Sequence, residues 1–170
     1  MWSSIRTLLG LSAFLVPPAL AFWAYRSLGE HELLETRSGL LEGQLQGCPP
    51  DSDCVVSEGE LAQLPGVRRV LPLELAGDPE ADFEELLDLL QASPTASLVA
   101  REGDYARFLV LAPLLELAHE IELRLDREQA VAHVRAYERL ETGETARARR
   151  LVSALREEWG ARSAAAETAP

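Results

Sequence analysis

Between residues 117 and 156 the chain alternates strictly and then changes period. Leu117, His119, Ile121, Leu123 and Leu125 fall on one side of an extended chain, with Glu120, Glu122 and Arg124 on the other. Ala130, Ala132, Val134 and Ala136 repeat the pattern opposite His133, Arg135, Tyr137 and Arg139. A connection of four residues, Asp126 to Gln129, predicts an antiparallel hairpin with Leu125 facing Ala130. That register sets Leu123 against Ala132 and Ile121 against Val134. On the polar face it sets Glu122 against His133, Glu120 against Arg135 and Glu116 against Arg139, a part-exposed ladder of opposite charges. A slip of one residue would set apolar side chains beside charges.

From about Thr142 the spacing becomes helical. Ala148, Leu151, Val152, Leu155 and Trp159 are the expected buried stripe, Gly160 the expected stop, and residues 161–170 a disordered tail. Upstream, Asp78-Pro79 reads as a cap and first helical position, Phe83, Leu86, Leu87 and Leu90 follow at helical spacing, and Ser93-Pro94 closes the helix. Val67 to Leu75, interrupted by Pro72, suits a sheet edge. Ala96–Arg101 and Tyr105–Leu111 read as strands joined around Glu102-Gly103-Asp104, with Pro113 breaking or bulging the second. The order predicts an α+β domain, an antiparallel sheet of about four to five strands with two packed helices.

An N-terminal transmembrane or signal helix is expected to precede that domain. Thr7 to Tyr25 is a run of nineteen residues without a formal charge. As a helix it would be roughly 28 Å long, close to the thickness of a bilayer's hydrocarbon core. Trp23 and Tyr25 sit at its far end, where amphipathic rings favour the interface. Ala19-Leu20-Ala21 also has the small-x-small form of a cleavage site, which would release a protein beginning at Phe22. The apolar run passes through that site, so an uncleaved anchor is preferred. Both readings place the remainder outside the cytoplasm. The chain therefore divides into an anchor or signal at 1–27, a connector at 28–46, an extracytoplasmic domain at 47–160 and the tail at 161–170. Leu33, Leu34, Leu40, Leu41 and Leu45 of the connector could dock either on the domain or on lipid.

A formal charge of −12 argues against nucleic-acid binding, which calls for a basic footprint. All sixteen basic residues are arginine. Cys48 and Cys54, the only cysteines, flank Pro49-Pro50 and in an oxidising compartment suggest a small-loop disulfide. A metal or redox pair is the weaker reading, for neither Cys-x-x-Cys nor a nearby histidine is present.

Cys48-Pro49, Asp53-Cys54-Val55-Val56-Ser57, the strand at Glu120-Ile121-Glu122 and the segment from Arg135 to Arg156 together resemble the domain-of-unknown-function 1499 family. That family shows Cys-Pro, then Pro-Asn-Cys-Val-Ser-Ser. A Phe-x-Asp-Asp-x-Glu strand, an Arg-Ser-x-Ser-Arg strand end and an Asp-x-Gly-x-Asn-Arg-x-Arg helix start follow. The likeness covers about residues 45 to 157. Cys48, Pro49, Cys54, Val55 and Ser57 match the first motif, and Glu122, Arg135, Arg139, Arg149 and Arg156 fall on charged positions. Asp53 replaces an asparagine, His119-Glu120 an acidic pair, Ala136 and Glu138 two serines, Glu144 an aspartate, Ala148 an asparagine and Leu151 an arginine. Much of the family's polar cluster is thus changed. The resemblance implies a fold and an extracytoplasmic setting, and no known activity.

Catalytic chemistry finds little support. His119 and His133 lie on opposite faces of the expected hairpin and cannot converge, and His31 is in the connector. No phosphate loop, zinc spacing or nucleophile elbow appears, and no cofactor is implied. Glu120, Glu122, His133, Arg135, Arg139 and Arg149 are the candidate ligand-facing residues, weighed against a structural ladder and a solvated helix face. The expected protein is a non-enzymatic periplasmic module, single-pass in the cell inner membrane, which binds an envelope protein or lipid as a scaffold. The alternative is a small-ligand or lipid carrier, secreted after cleavage near Ala21, with arginines at its pocket mouth.

Overall fold

The computed structural model describes residues 38–49, 52–59, 65–111, 118–138 and 145–167. The run from Thr7 to Tyr25, His31, Leu33, Leu34, Pro113, Glu116 and Arg139 lie outside them.

Among the described residues there are eight strands and two α-helices. A small hairpin, β1 (Leu40–Leu41) and β2 (Gln44–Leu45), comes first, then β3 (Val55–Val56), a 3₁₀ turn (Gly66–Arg68) and β4 (Leu73–Glu74). Helix α1 (Pro79–Ala92), strands β5 (Ala96–Glu102), β6 (Tyr105–Leu111), β7 (Ala118–Asp126) and β8 (Val131–Glu138), and helix α2 (Thr145–Glu167) complete the order. The main sheet has six strands in the order β3-β8-β7-β6-β5, with β4 also paired to β8. All of its strand pairs are antiparallel. The expected four to five strands become six because β3 and β4 share the free edge of β8, and strands of two residues are too short to show alternation.

Helix α1 forms as its sequence predicts. Asp78 Oδ1 accepts from the amides of Glu80 (3.1 Å) and Ala81 (3.0 Å), a cap worth about 1 kcal/mol. Phe83, Leu86, Leu87 and Leu90 are buried, and Ser93 ends the helix. Both helices lie on one face of the sheet, α1 against β5 and β7, α2 against β8 and β3. Between the layers Ala106, Phe108, Ile121, Leu123, Val134 and Ala136 meet Ala148, Val152, Leu155 and Trp159. Each large side chain removed from water there contributes about 1.5–3 kcal/mol.

The central hairpin keeps the expected faces but not the expected register. Leu125 faces Ala132, Leu123 faces Val134, Ile121 faces Ala136, Glu122 faces Arg135 and Glu120 faces Tyr137. Every pair is displaced by two residues. Asp126 extends β7 and its Oδ1 accepts from the Gln129 amide (3.0 Å). Ala130, expected in the strand, takes φ +50° and closes the turn, its carbonyl accepting from the Leu75 amide (3.0 Å). The turn is thus Arg127 to Ala130. Because side chains alternate with period two, a shift of two changes every partner and leaves each face intact.

Two boundaries also move. Gly160 does not stop α2, which runs to Glu167, so residues 161–167 are helical and not a disordered tail. One glycine costs about 1 kcal/mol in a helix, which the following alanines, the best helix formers, offset. Residues from Gly39 onward belong to the compact unit, so the hairpin at 40–45 is part of the domain and not of a connector.

Candidate functional site

The sheet face turned away from the helices is polar, buried and covered. Three rows cross it. Tyr105, Arg124 and His133 form one; Arg107, Glu122, Arg135 and Val56 the second; Leu109, Glu120 and Tyr137 the third. Alternation in β6, β7 and β8 sets these side chains opposite the apolar core.

Glu122, fully buried, is the hub. Its Oε1 accepts from the Tyr105 hydroxyl (2.6 Å) and the Gly39 amide (2.6 Å), and its Oε2 from Arg135 Nη1. The Arg135 guanidinium also lies over the Tyr137 ring, 4.6 Å from its centre. The Tyr137 hydroxyl donates to Glu120, which has Arg107 Nη1 at 3.8 Å. Burial first, and then the neighbouring carboxylates, push both tyrosine hydroxyls above the ordinary range, so they stay protonated and donate.

At the other end Glu58 holds Arg124 by a forked pair of contacts, Oε1 to Nε at 2.9 Å and Oε2 to Nη2 at 2.7 Å. It also accepts from the Leu45 amide at 2.7 Å. The Ser57 hydroxyl sits 3.2 Å from His133 Nδ1 and accepts from the Val134 amide at 2.8 Å. His133 Nε2 lies 3.7 Å from both Glu58 and Asp126. Burial lowers the His133 pKa against the opposing pull of Glu58.

The cover is built from residues 39–49 and 52–57. The Cys48–Cys54 disulfide is formed, with Cα atoms 5.4 Å apart, within the separation that such a bond allows. Leu45, Cys48, Cys54 and Val56 pack with Tyr105 and Tyr137 in a second apolar cluster. The strap at 39–45 therefore fastens to the sheet by backbone amides on buried carboxylates as well as by apolar contact. The ladder expected to be part-exposed is sealed, and of the leucines expected to dock either on the domain or on lipid, Leu45 docks on the domain.

The structure gathers Glu120, Glu122, His133 and Arg135 on this one face. Arg149 is elsewhere. Its Nη2 donates to the carbonyls of Gly66 (3.1 Å) and Arg69 (2.6 Å), while Arg156 reaches the Leu71 carbonyl and Trp159 Nε1 the Glu74 carbonyl (2.9 Å). Arg68 Nη1 in turn reaches the Pro49 carbonyl beside the disulfide (2.7 Å). Side chains of α2 thus clamp the 66–74 segment, and Arg68 ties that segment to the disulfide loop, a use of guanidinium geometry that the expected solvated helix face did not foresee. Arg139 lies outside the described residues.

Tyr105, Arg107, Glu58 and the Gly39 amide were missed from the sequence, and Tyr137, placed on this face by its alternation, was not among the candidates. Carrying the alternation of β7 into β6 would have found Tyr105 and Arg107; Glu58 has no periodic signal. His119 lies on the helix-facing side opposite Glu138, buried, and burial lowers its pKa against the pull of that carboxylate. Among the described residues no group of three His, Cys, Asp or Glu side chains could hold a metal ion. Nor, among them, is any helix long and apolar enough to cross a membrane.

A disulfide-stapled α+β domain with a sealed, charge-paired sheet face is the class defined here. A family model described as protein of unknown function (DUF1499) matches residues 44–159, and the chain belongs to that family. Among curated proteins and solved structures, none matches.

Proposed function

We propose that this chain is a noncatalytic, extracytoplasmic binding or scaffold module, held to the cytoplasmic membrane by the uncharged run from Thr7 to Tyr25. The observation that carries this reading is the covered polar layer, stapled by the chain's only two cysteines. A buried disulfide that holds a lid is at home in an oxidising compartment and not in a reducing cytosol. The layer's described carboxylates are engaged by arginine, tyrosine or backbone amides, so the face suits fastening the strap better than acting on a substrate. A carrier would want Arg135 at a pocket mouth, whereas Arg135 is buried beneath the strap. The partners expected are envelope proteins or lipid met through the outer surface, not through this layer.

Reporter fusions after Pro170 test the topology. A reporter active only outside the cytoplasm should be active, and one active only inside should be silent. The opposite pattern overturns the proposal.

A further inference from the structure

Leu40 and Leu41 form β1, and Leu41 is 66% exposed, Leu40 41%. Successive strand residues point to opposite faces, so β1 stands clear of the domain on both. Its partner does not: Leu45 of β2 is 2% exposed and packed in the cluster beneath the strap. Glu42 (φ 54°) and Gly43 (φ 81°) make the two-residue turn that joins them, a conformation matched to the twist of a hairpin. A ladder of two residues is marginal in water by itself. Here β2 is nailed down by Leu45 and by its amide on Glu58, the Gly39 amide on Glu122 holds the entry to the hairpin, and β1 between these two ties lifts two leucines into solvent.

The chain that leads into this hairpin identifies what it meets. Tyr25, the last residue of the uncharged run, is separated from Leu40 by fourteen residues. Even fully extended, that connector spans no more than about 50 Å. If the run is anchored, as in the reading on which this inference rests, the leucine pair is confined close to one bilayer surface. Tethering of this kind converts a weak contact into one made at an effective concentration on the order of millimolar. Between residues 26 and 42 of the sequence Glu30, Glu32, Glu35 and Glu42 outnumber Arg26 and Arg37, so attraction to anionic headgroups is not the driving term. We infer that Leu40 and Leu41 are a membrane-docking wedge, seating the domain by apolar contact on the surface of the bilayer that anchors it.

The full chain, reconstituted in nanodiscs of zwitterionic phosphatidylcholine, tests this. Leu41→Cys and, as a control on the exposed β5 edge, Leu98→Cys each receive a nitroxide while the native cysteines remain bonded. Relaxation by oxygen, which partitions into lipid, is compared with relaxation by a water-soluble nickel chelate. Position 41 should favour oxygen and position 98 the chelate, and raising the salt concentration should leave both unchanged. In a Leu40→Asp background the label at 41 should move to the water-accessible pattern. A chain that co-elutes with nanodiscs yet shows position 41 fully open to the chelate overturns the wedge and leaves the anchor standing. Spin–spin broadening at 41 would mean that a second copy covers it, which also overturns the proposal. A chain that fails to co-elute overturns the anchor, and the wedge falls with it.

Discussion

Replacing Arg135 by methionine removes one charge from the centre of the polar layer and leaves its partner behind. Glu122 is 0% exposed and would keep, among the described residues, the Tyr105 hydroxyl and the Gly39 amide as close donors, with Arg107 on β6 in the same row. Breaking a buried ion pair from one side costs about 3–5 kcal/mol, because the stranded charge cannot be solvated. The lost stacking on Tyr137 is a smaller part of that figure. Adding Glu122→Gln removes the stranded charge yet retains an oxygen for Tyr105 and Gly39. The double variant should therefore recover about 2 kcal/mol of what Arg135→Met loses. Urea unfolding, followed by emission of the buried Trp159 with Trp2 and Trp23 replaced by phenylalanine, measures the cycle. A loss below about 1 kcal/mol for Arg135→Met would place this pair in the range of exposed ion pairs and refute the sealed layer. A double variant weaker than the single one would refute the charge argument in particular.

Three further outcomes are expected. Cys48→Ser with Cys54→Ser should lower stability by about 2 kcal/mol, the small-loop end of the disulfide range, read from the same urea midpoints. Acid should weaken the fold before the carboxylates titrate. The His133 pKa is depressed in the folded state, so its contribution is complete above about pH 6.5, declines below that value and is lost as pH falls through the folded pKa. His133→Gln should flatten that part of the profile, and an unchanged profile would remove His133 as its cause. Arg149→Lys should cost at most about 1 kcal/mol globally but accelerate hydrogen exchange at the Val70 amide, which bonds the Val56 carbonyl beside the clamp.

How much of this was legible follows from period. Faces could be assigned because strict alternation and the Phe83-Leu86-Leu87-Leu90 stripe are long enough to fix phase. Register could not, since apolar pairing scores equally well when β8 slides by two residues. The deciding groups, the Asp126 carboxylate and the left-handed Ala130, act only inside the turn. The strap was legible only in Leu45, one of the leucines expected to dock either on the domain or on lipid. Leu45 is its one deeply buried apolar anchor, and its remaining attachments are backbone amides, to which any residue but proline could contribute. The clamps by Arg149 and Arg156 were equally hidden, because their acceptors are carbonyls from a segment about eighty residues away. Helix α2 outruns its expected end because the alanines after Gly160 offset the cost of one glycine.

The claim that a disulfide-stapled domain lies outside the cytoplasm has one most direct measurement. Growing cells are quenched in acid, and the denatured, never-reduced chain is exposed to a maleimide polymer. With Cys48 and Cys54 bonded, the chain should run unshifted, and it should gain two polymers only after reduction. Two polymers added without reduction would show free thiols in the cell, and would contradict both the staple and the compartment inferred from it.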